Sequence, residues 1–205
     1  MDIWPTIHAE RKALAADLGA LDASQWMTPS LCAGWTARDA LAHMTSGSKV
    51  TQWSFFPKLA MSGFNRLKLE KKVIEAEKGE SAVETLANFE AVVNSLNRPP
   101  VPADGWLGEM IVHAEDIRRP LGIKHDYPVA ALVQIANFYS GMNLFIGSKR
   151  RIAGLTLRAT DTKWSHGTGP EVTGPIITLV MAMTGRRAAY EDLTGEGVTT
   201  LLSRP

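Results

Sequence analysis

The chain has one cysteine, Cys32, in 205 residues. A single thiol excludes an internal disulfide framework and fits a reducing, cytoplasmic setting. Long apolar runs are also missing. No uninterrupted stretch is long enough to span a bilayer, and the amino terminus, MDIWPTIHAERKALAADLGAL, is an amphipathic helix pattern broken by acids and bases, not a secretory leader. Nor is there an excess of charge of one sign. Lys plus Arg number 22 against 21 Asp plus Glu, so electrostatics gives no case for nucleic acid. The most charged run, RLKLEKKVIEAEKGE, carries Leu67, Leu69, Val73 and Ile74 at helical spacing and reads as a solvated helix face. The sequence therefore predicts neither a nucleic-acid nor a membrane partner. It also contains no evident Ser-His-Asp arrangement to supply a nucleophile.

What is present is helical grammar over the first two-thirds. Pro5 suits an early helical position, and that helix should run to about Leu18, before Gly19. Thr36, with Asp39 three residues on, resembles a capping box opening a helix through His43, which should end or bend before Pro57. Helices follow from about Asn65 to Lys78 and from Ser81 to Asn97. After the stiff turn RPPVPADG, Asp104 is placed to cap a helix that Pro120 and Gly122 stop. A long apolar helix is expected from Val129 to Phe145. From Lys149 the pattern changes: RRIAGLTLRATDTKWS alternates like one or two strands, and VTGPIITLVMAMTGRR returns to helix, with Thr173 as cap and Gly185 as stop. This divides the chain into 1–148, a helical bundle, and 149–205, a small α/β piece.

The chemistry-bearing residues concentrate on two of these helices. Glu109 and His113 are four apart, so they project from one helix face, and His113 falls within the apolar stripe of Trp106, Met110, Ala114 and Ile117. His43 lies at the margin of the stripe formed by Ala37, Ala40, Leu41 and Met44. Two nitrogen donors and one carboxylate meeting between helices would hold a divalent metal and leave a position open. Zinc suits this donor set best, with nickel or ferrous iron as alternatives. A lone histidine is more often a hydrogen-bonded, partly buried residue, and a Glu and His one turn apart more often an ordinary surface pair, so spacing alone is weak. Asp116 is the candidate to orient a ligand imidazole or move a proton, its competing role being a surface pair with Arg119. Arg118, Arg119, Arg186 and Arg187 are candidates for gripping the carboxylate of an anionic cofactor or substrate, against a simpler role at helix ends.

Three motifs, SLCAGWTARDALAHM, EMIVHAEDIRRPLG and the region from GLTLRATDTKWSHGTGPEVTGP to MTGRRAAYEDLTGEGV, resemble in that order the mycothiol-dependent maleylpyruvate isomerase family of actinobacteria, within the DinB-like metal-binding bundles. The resemblance implies a mainly α protein: a bundle of four principal helices with an extra one, then a small α/β segment like a trimmed sterol-carrier fold. It implies a divalent metal, usually zinc, at His43, Glu109 and His113, and mycothiol as thiol cosubstrate. A thiol on such a cation loses its proton and becomes a nucleophile toward small electrophiles, with no protein cysteine required. The expected function is thus a metal-dependent thiol S-transferase or isomerase, as a monomer or homodimer. Two alternatives use the same ligands or none: a hydrolase in which the cation activates water, and a non-catalytic stress-response protein.

Overall fold

The computed structural model describes residues 2–61, 65–144 and 146–204. It is mainly helical with one small sheet, as the resemblance implies, and divides into two compact units, Met1–Asp126 and Tyr127–Pro205.

Among the described residues, the first unit is built on the helices α1 (Trp4–Gly19), α2 (Ala37–Lys49), α3 (Gln52–Met61), α4 (Arg66–Lys78), α5 (Ala82–Glu90) and α6 (Ala103–Arg118). α2 is central and packs against α4, α5 and α6, while α1 closes over α5 and α6. The start of α2 is fixed by the expected capping box. Thr36 Oγ1 accepts from the Asp39 amide at 3.2 Å, and Asp39 Oδ2 accepts from the Thr36 amide at 2.9 Å. Two orphan donors of the first turn are thereby satisfied. α2 and α6 approach closely at Gly47, where a Cβ would stand 2.8 Å from the indole of Trp106. A small residue at 47 therefore sets the spacing of the two helices that carry the candidate ligands.

Two buried arginines tie the bundle together. Arg11 donates to the carbonyls of Val92 and Ser95 and to Ser48 Oγ, and its burial lowers its pKa to about 10. Arg118 is wholly buried and pairs with Asp17, with Nη2 to Oδ2 at 2.7 Å, fastening the end of α6 to α1.

Several sequence-based expectations shift. Asp104 does not cap α6; it lies in the first turn, and the preceding position is Pro102, whose fixed φ starts the helix without a side-chain cap. α5 ends at Glu90, and turns replace its expected continuation to Asn97. The helix through His43 does end before Pro57, at Lys49, and Pro57 itself lies inside the next helix, α3. No helix among the described residues is long and apolar enough to cross a membrane.

The second unit contains α7 (Val129–Gly141), α8 (Ser148–Arg151), α9 (Ile176–Met183) and α10 (Val198–Leu202), with strands β1 (Thr156–Ala159), β2 (Ser165–Gly167) and β3 (Glu171–Gly174). The strand order is β2-β1-β3, with β1 antiparallel to β2 and parallel to β3, and Leu157 opposite both His166 and Val172. α9 is apolar all round and buried against α7 and β1. That packing places α7 in this unit, whereas the sequence pattern groups it with the bundle and divides the chain at 148/149. α7 ends at Gly141, short of the expected Phe145, which itself lies outside the described residues. Thr173 does not cap α9: it is part of β3 and bonds to Thr194, and the amide of Ile176 donates instead to Asp161 Oδ1 at 2.9 Å.

Candidate metal centre

α2 and α6 present His43, Glu109 and His113 to one another. Glu109 Oε1 lies 3.1 Å from His43 Nε2 and 3.1 Å from His113 Nε2. The imidazoles meet edge to face, with ring centres 4.9 Å apart, and one ligand-type atom from each of the three residues falls within 4.8 Å of the others. The indole of Trp35, in the loop before α2, covers them with its ring centre 4.9 Å from that of His43 and 6.3 Å from that of His113.

Behind His113 stands a buried carboxylate. Asp116 Oδ2 is 2.9 Å from His113 Nδ1, and Asp116 is fully buried. Cys32 Sγ donates to the same oxygen at 3.0 Å and lies 3.5 Å from His113 Nδ1. The loop bearing Cys32 is pinned to α6 by a hydrogen bond from the Leu31 amide to the Asp116 carbonyl at 3.0 Å. Behind His43, its buried Nδ1 is 3.7 Å from Glu70 Oε1 on α4.

The electrostatics follow from this enclosure. Burial alone would favour neutral His113, but the charge of Glu109 and the hydrogen bonds to Asp116, Cys32 and Glu109 outweigh it and hold the imidazole well above its ordinary pKa. Burial would likewise raise the Glu109 carboxyl, yet the charge of His113 and the hydrogen bonds to both imidazoles hold it well below the usual carboxylate range. Two ring nitrogens and one carboxylate oxygen thus gather at one place between α2 and α6, a donor set that could hold a divalent metal ion.

The structure therefore brings together four of the residues singled out in the sequence: His43, Glu109, His113 and Asp116. The arginines fare differently. Arg118 is committed to Asp17 in the bundle interior, which removes it as a contact for a ligand's carboxylate. Arg119 pairs with Glu115, leaving Asp116 to His113. Arg186 and Arg187, in the second unit, reach the carbonyls of Thr184 and Leu202. Cys32, Trp35 and Glu70 belong to the site's surroundings and carried no signal strong enough to be placed there from sequence. Cys32 and Trp35 lie in an irregular loop without periodicity, and Glu70 lies in a run that reads as solvated surface.

Two helices of a bundle thus converge on two imidazoles and a carboxylate, which makes this a candidate metal centre. The profile of the mycothiol maleylpyruvate isomerase N-terminal domain matches residues 7–99. Crystal structures of the mycothiol-dependent maleylpyruvate isomerase and of a histidine-to-alanine mutant of it share the fold. The mutant superposes with a TM-score of 0.66 at 15% identity, and the other structure with 0.61 at 12%, each over 95% of this chain and 91% of the other. No curated protein matches the sequence.

Proposed function

We propose that the chain is a metal-dependent enzyme in which His43, Glu109 and His113 hold one divalent cation, zinc by preference of the donor set, and a small thiol such as mycothiol attacks a small electrophile. The observation that carries this reading is the single Glu109 oxygen set 3.1 Å from each Nε2. When bound, the cation supplies acidity to whatever thiol or water occupies its open position. Asp116 holds the Nδ1 proton of His113, which fixes the tautomer and leaves Nε2 free as a donor. Trp35 excludes water from one side of the imidazoles. Glu109, with 41% of its side chain exposed, marks the open side by which substrate enters. Arg119, at the end of α6, is the candidate in the first unit for the anionic end of thiol or substrate.

The domain family and the shared fold favour thiol chemistry over hydrolysis. The same ligands would also serve a hydrolase that activates water. Protein purified without an affinity tag should contain near-stoichiometric metal that is lost in His43→Ala, and turnover of electrophilic substrates should require added low-molecular-weight thiol. Product formation without thiol would transfer the reading to the hydrolase. Full metal content in His43→Ala would remove His43 from the shell, and absence of metal from the wild type would leave a non-catalytic scaffold.

A further inference from the structure

His113 has a carboxylate behind it, and His43 has one at a longer distance. His43 Nδ1 is buried and makes no hydrogen bond among the described residues, yet Glu70 Oε1 faces it at 3.7 Å. A buried ring N–H without a partner costs about 1–3 kcal/mol, and the gap exceeds a charge-assisted bond of about 2.8 Å by only about 0.9 Å. Glu70 is held in position by its helix. Ile74, one turn on, is buried, and further along the same side of α4 Glu77 pairs with Lys49 at 2.6 Å and Lys78 with Asp39 at 2.9 Å, both partners lying on α2. The carboxylate itself retains freedom, with 37% of the side chain exposed, and it lines a cavity of about 300 Å³ with Trp35 and Asp39 that has room for a water.

We infer that Glu70 is a positioning residue for His43: it accepts a hydrogen bond from Nδ1–H, directly or through one water, and so presents Nε2 to the cation. The inference rests on the reading of His43 as a metal ligand. Its consequence is a pair of carboxylate-backed imidazoles, with Asp116 serving His113 from the same helix and Glu70 serving His43 from a neighbouring one. A ligand imidazole whose second nitrogen is satisfied binds metal better by the 10–100-fold typical of such outer partners.

The test compares wild type, Glu70→Leu, Glu70→Gln and the same-helix control Glu75→Gln by zinc affinity in chelator competition and by 15N-resolved signals of the His43 ring. Glu70→Leu should lose 10–100-fold in zinc affinity and lose the hydrogen-bonded Nδ1–H signal. Glu70→Gln, which keeps an acceptor without charge, should retain that tautomer with an intermediate affinity, and Glu75→Gln should match wild type. Zinc affinity within twofold of wild type in Glu70→Leu, with unchanged His43 signals, overturns the assignment while leaving the metal centre intact. If wild type takes up no zinc, the metal reading fails. The His43 ring signals of metal-free wild type and Glu70→Leu then decide on Glu70, identical spectra overturning it. Should Glu70→Leu fail to fold by circular dichroism, Glu70→Gln takes its place, and wild-type affinity there overturns the assignment.

Discussion

His113 Nδ1 and Asp116 Oδ2 stand 2.9 Å apart, three residues apart on α6, with the carboxylate wholly shielded from solvent. A buried carboxylate in this position determines which ring nitrogen carries the proton. Replacing it with alanine leaves Nδ1 facing a void, at a cost of about 1–3 kcal/mol for the lost partner. Asp116→Ala should therefore weaken zinc binding by 10–100-fold and lower turnover at saturating metal, with secondary structure retained. Chelator competition and steady-state kinetics measure the two effects. Wild-type zinc affinity in this variant would show that the Nδ1 contact does not orient His113.

The capping box of α2 couples the fold to pH. Asp39 lies below its ordinary pKa: burial opposes this, but the hydrogen bonds from Thr36 and the charge of Lys78 prevail. Lys78 is correspondingly raised, chiefly by its hydrogen bond to Asp39. For a depressed acid, the stabilisation is present above the unfolded pKa of 3.8 and is lost as pH falls through the folded value. For the raised lysine, it is present below 10.5 and is lost only as pH rises beyond that. Asp39→Ala should consequently cost about 1 kcal/mol at neutral pH as a lost cap. Denaturation midpoints of variant and wild type should converge as the pH falls below 3.8. A difference independent of pH would assign the effect to packing instead of the ionised carboxylate.

How much of this was legible in the sequence depended on whether a feature is local. The capping box at Thr36 and Asp39, the face shared by Glu109 and His113, and the placement of His43 on the margin of an apolar stripe all follow from helix periodicity, and the structure reproduces them. Asp116 was legible as a residue but not in its direction, because spacing alone allows it either His113 or Arg119. Arg118 could not be read correctly. Its partner Asp17 lies on α1, far away in sequence, and a buried arginine looks the same in a sequence as an exposed one. β3 was absorbed into the following helix for a similar reason: Glu171–Gly174 has little apolar alternation of its own and becomes a strand by pairing in parallel with β1. Cys32 and Glu70 reach the site only through a loop docking on α6 and a helix packing on α2, neither of which leaves a periodic trace.

Cys32 offers the last test, because it is a thiol beside the centre and a competing candidate for the nucleophile. The geometry argues against that role. Its S–H donates to Asp116 Oδ2 at 3.0 Å, so the sulfur supports the carboxylate that orients His113, and it lies near Nδ1 while the shared Glu109 oxygen lies at Nε2. Cys32→Ser keeps a donor at that position and should retain thiol-dependent turnover. Cys32→Ala removes the donor and should lower turnover modestly, by roughly the 0.5–1.5 kcal/mol of one hydrogen bond, or about 2–12-fold. Both variants should still require added thiol, measured as rate against thiol concentration at saturating metal. Abolition of turnover in both with metal content unchanged would make Cys32 the nucleophile and overturn the role given to an external thiol.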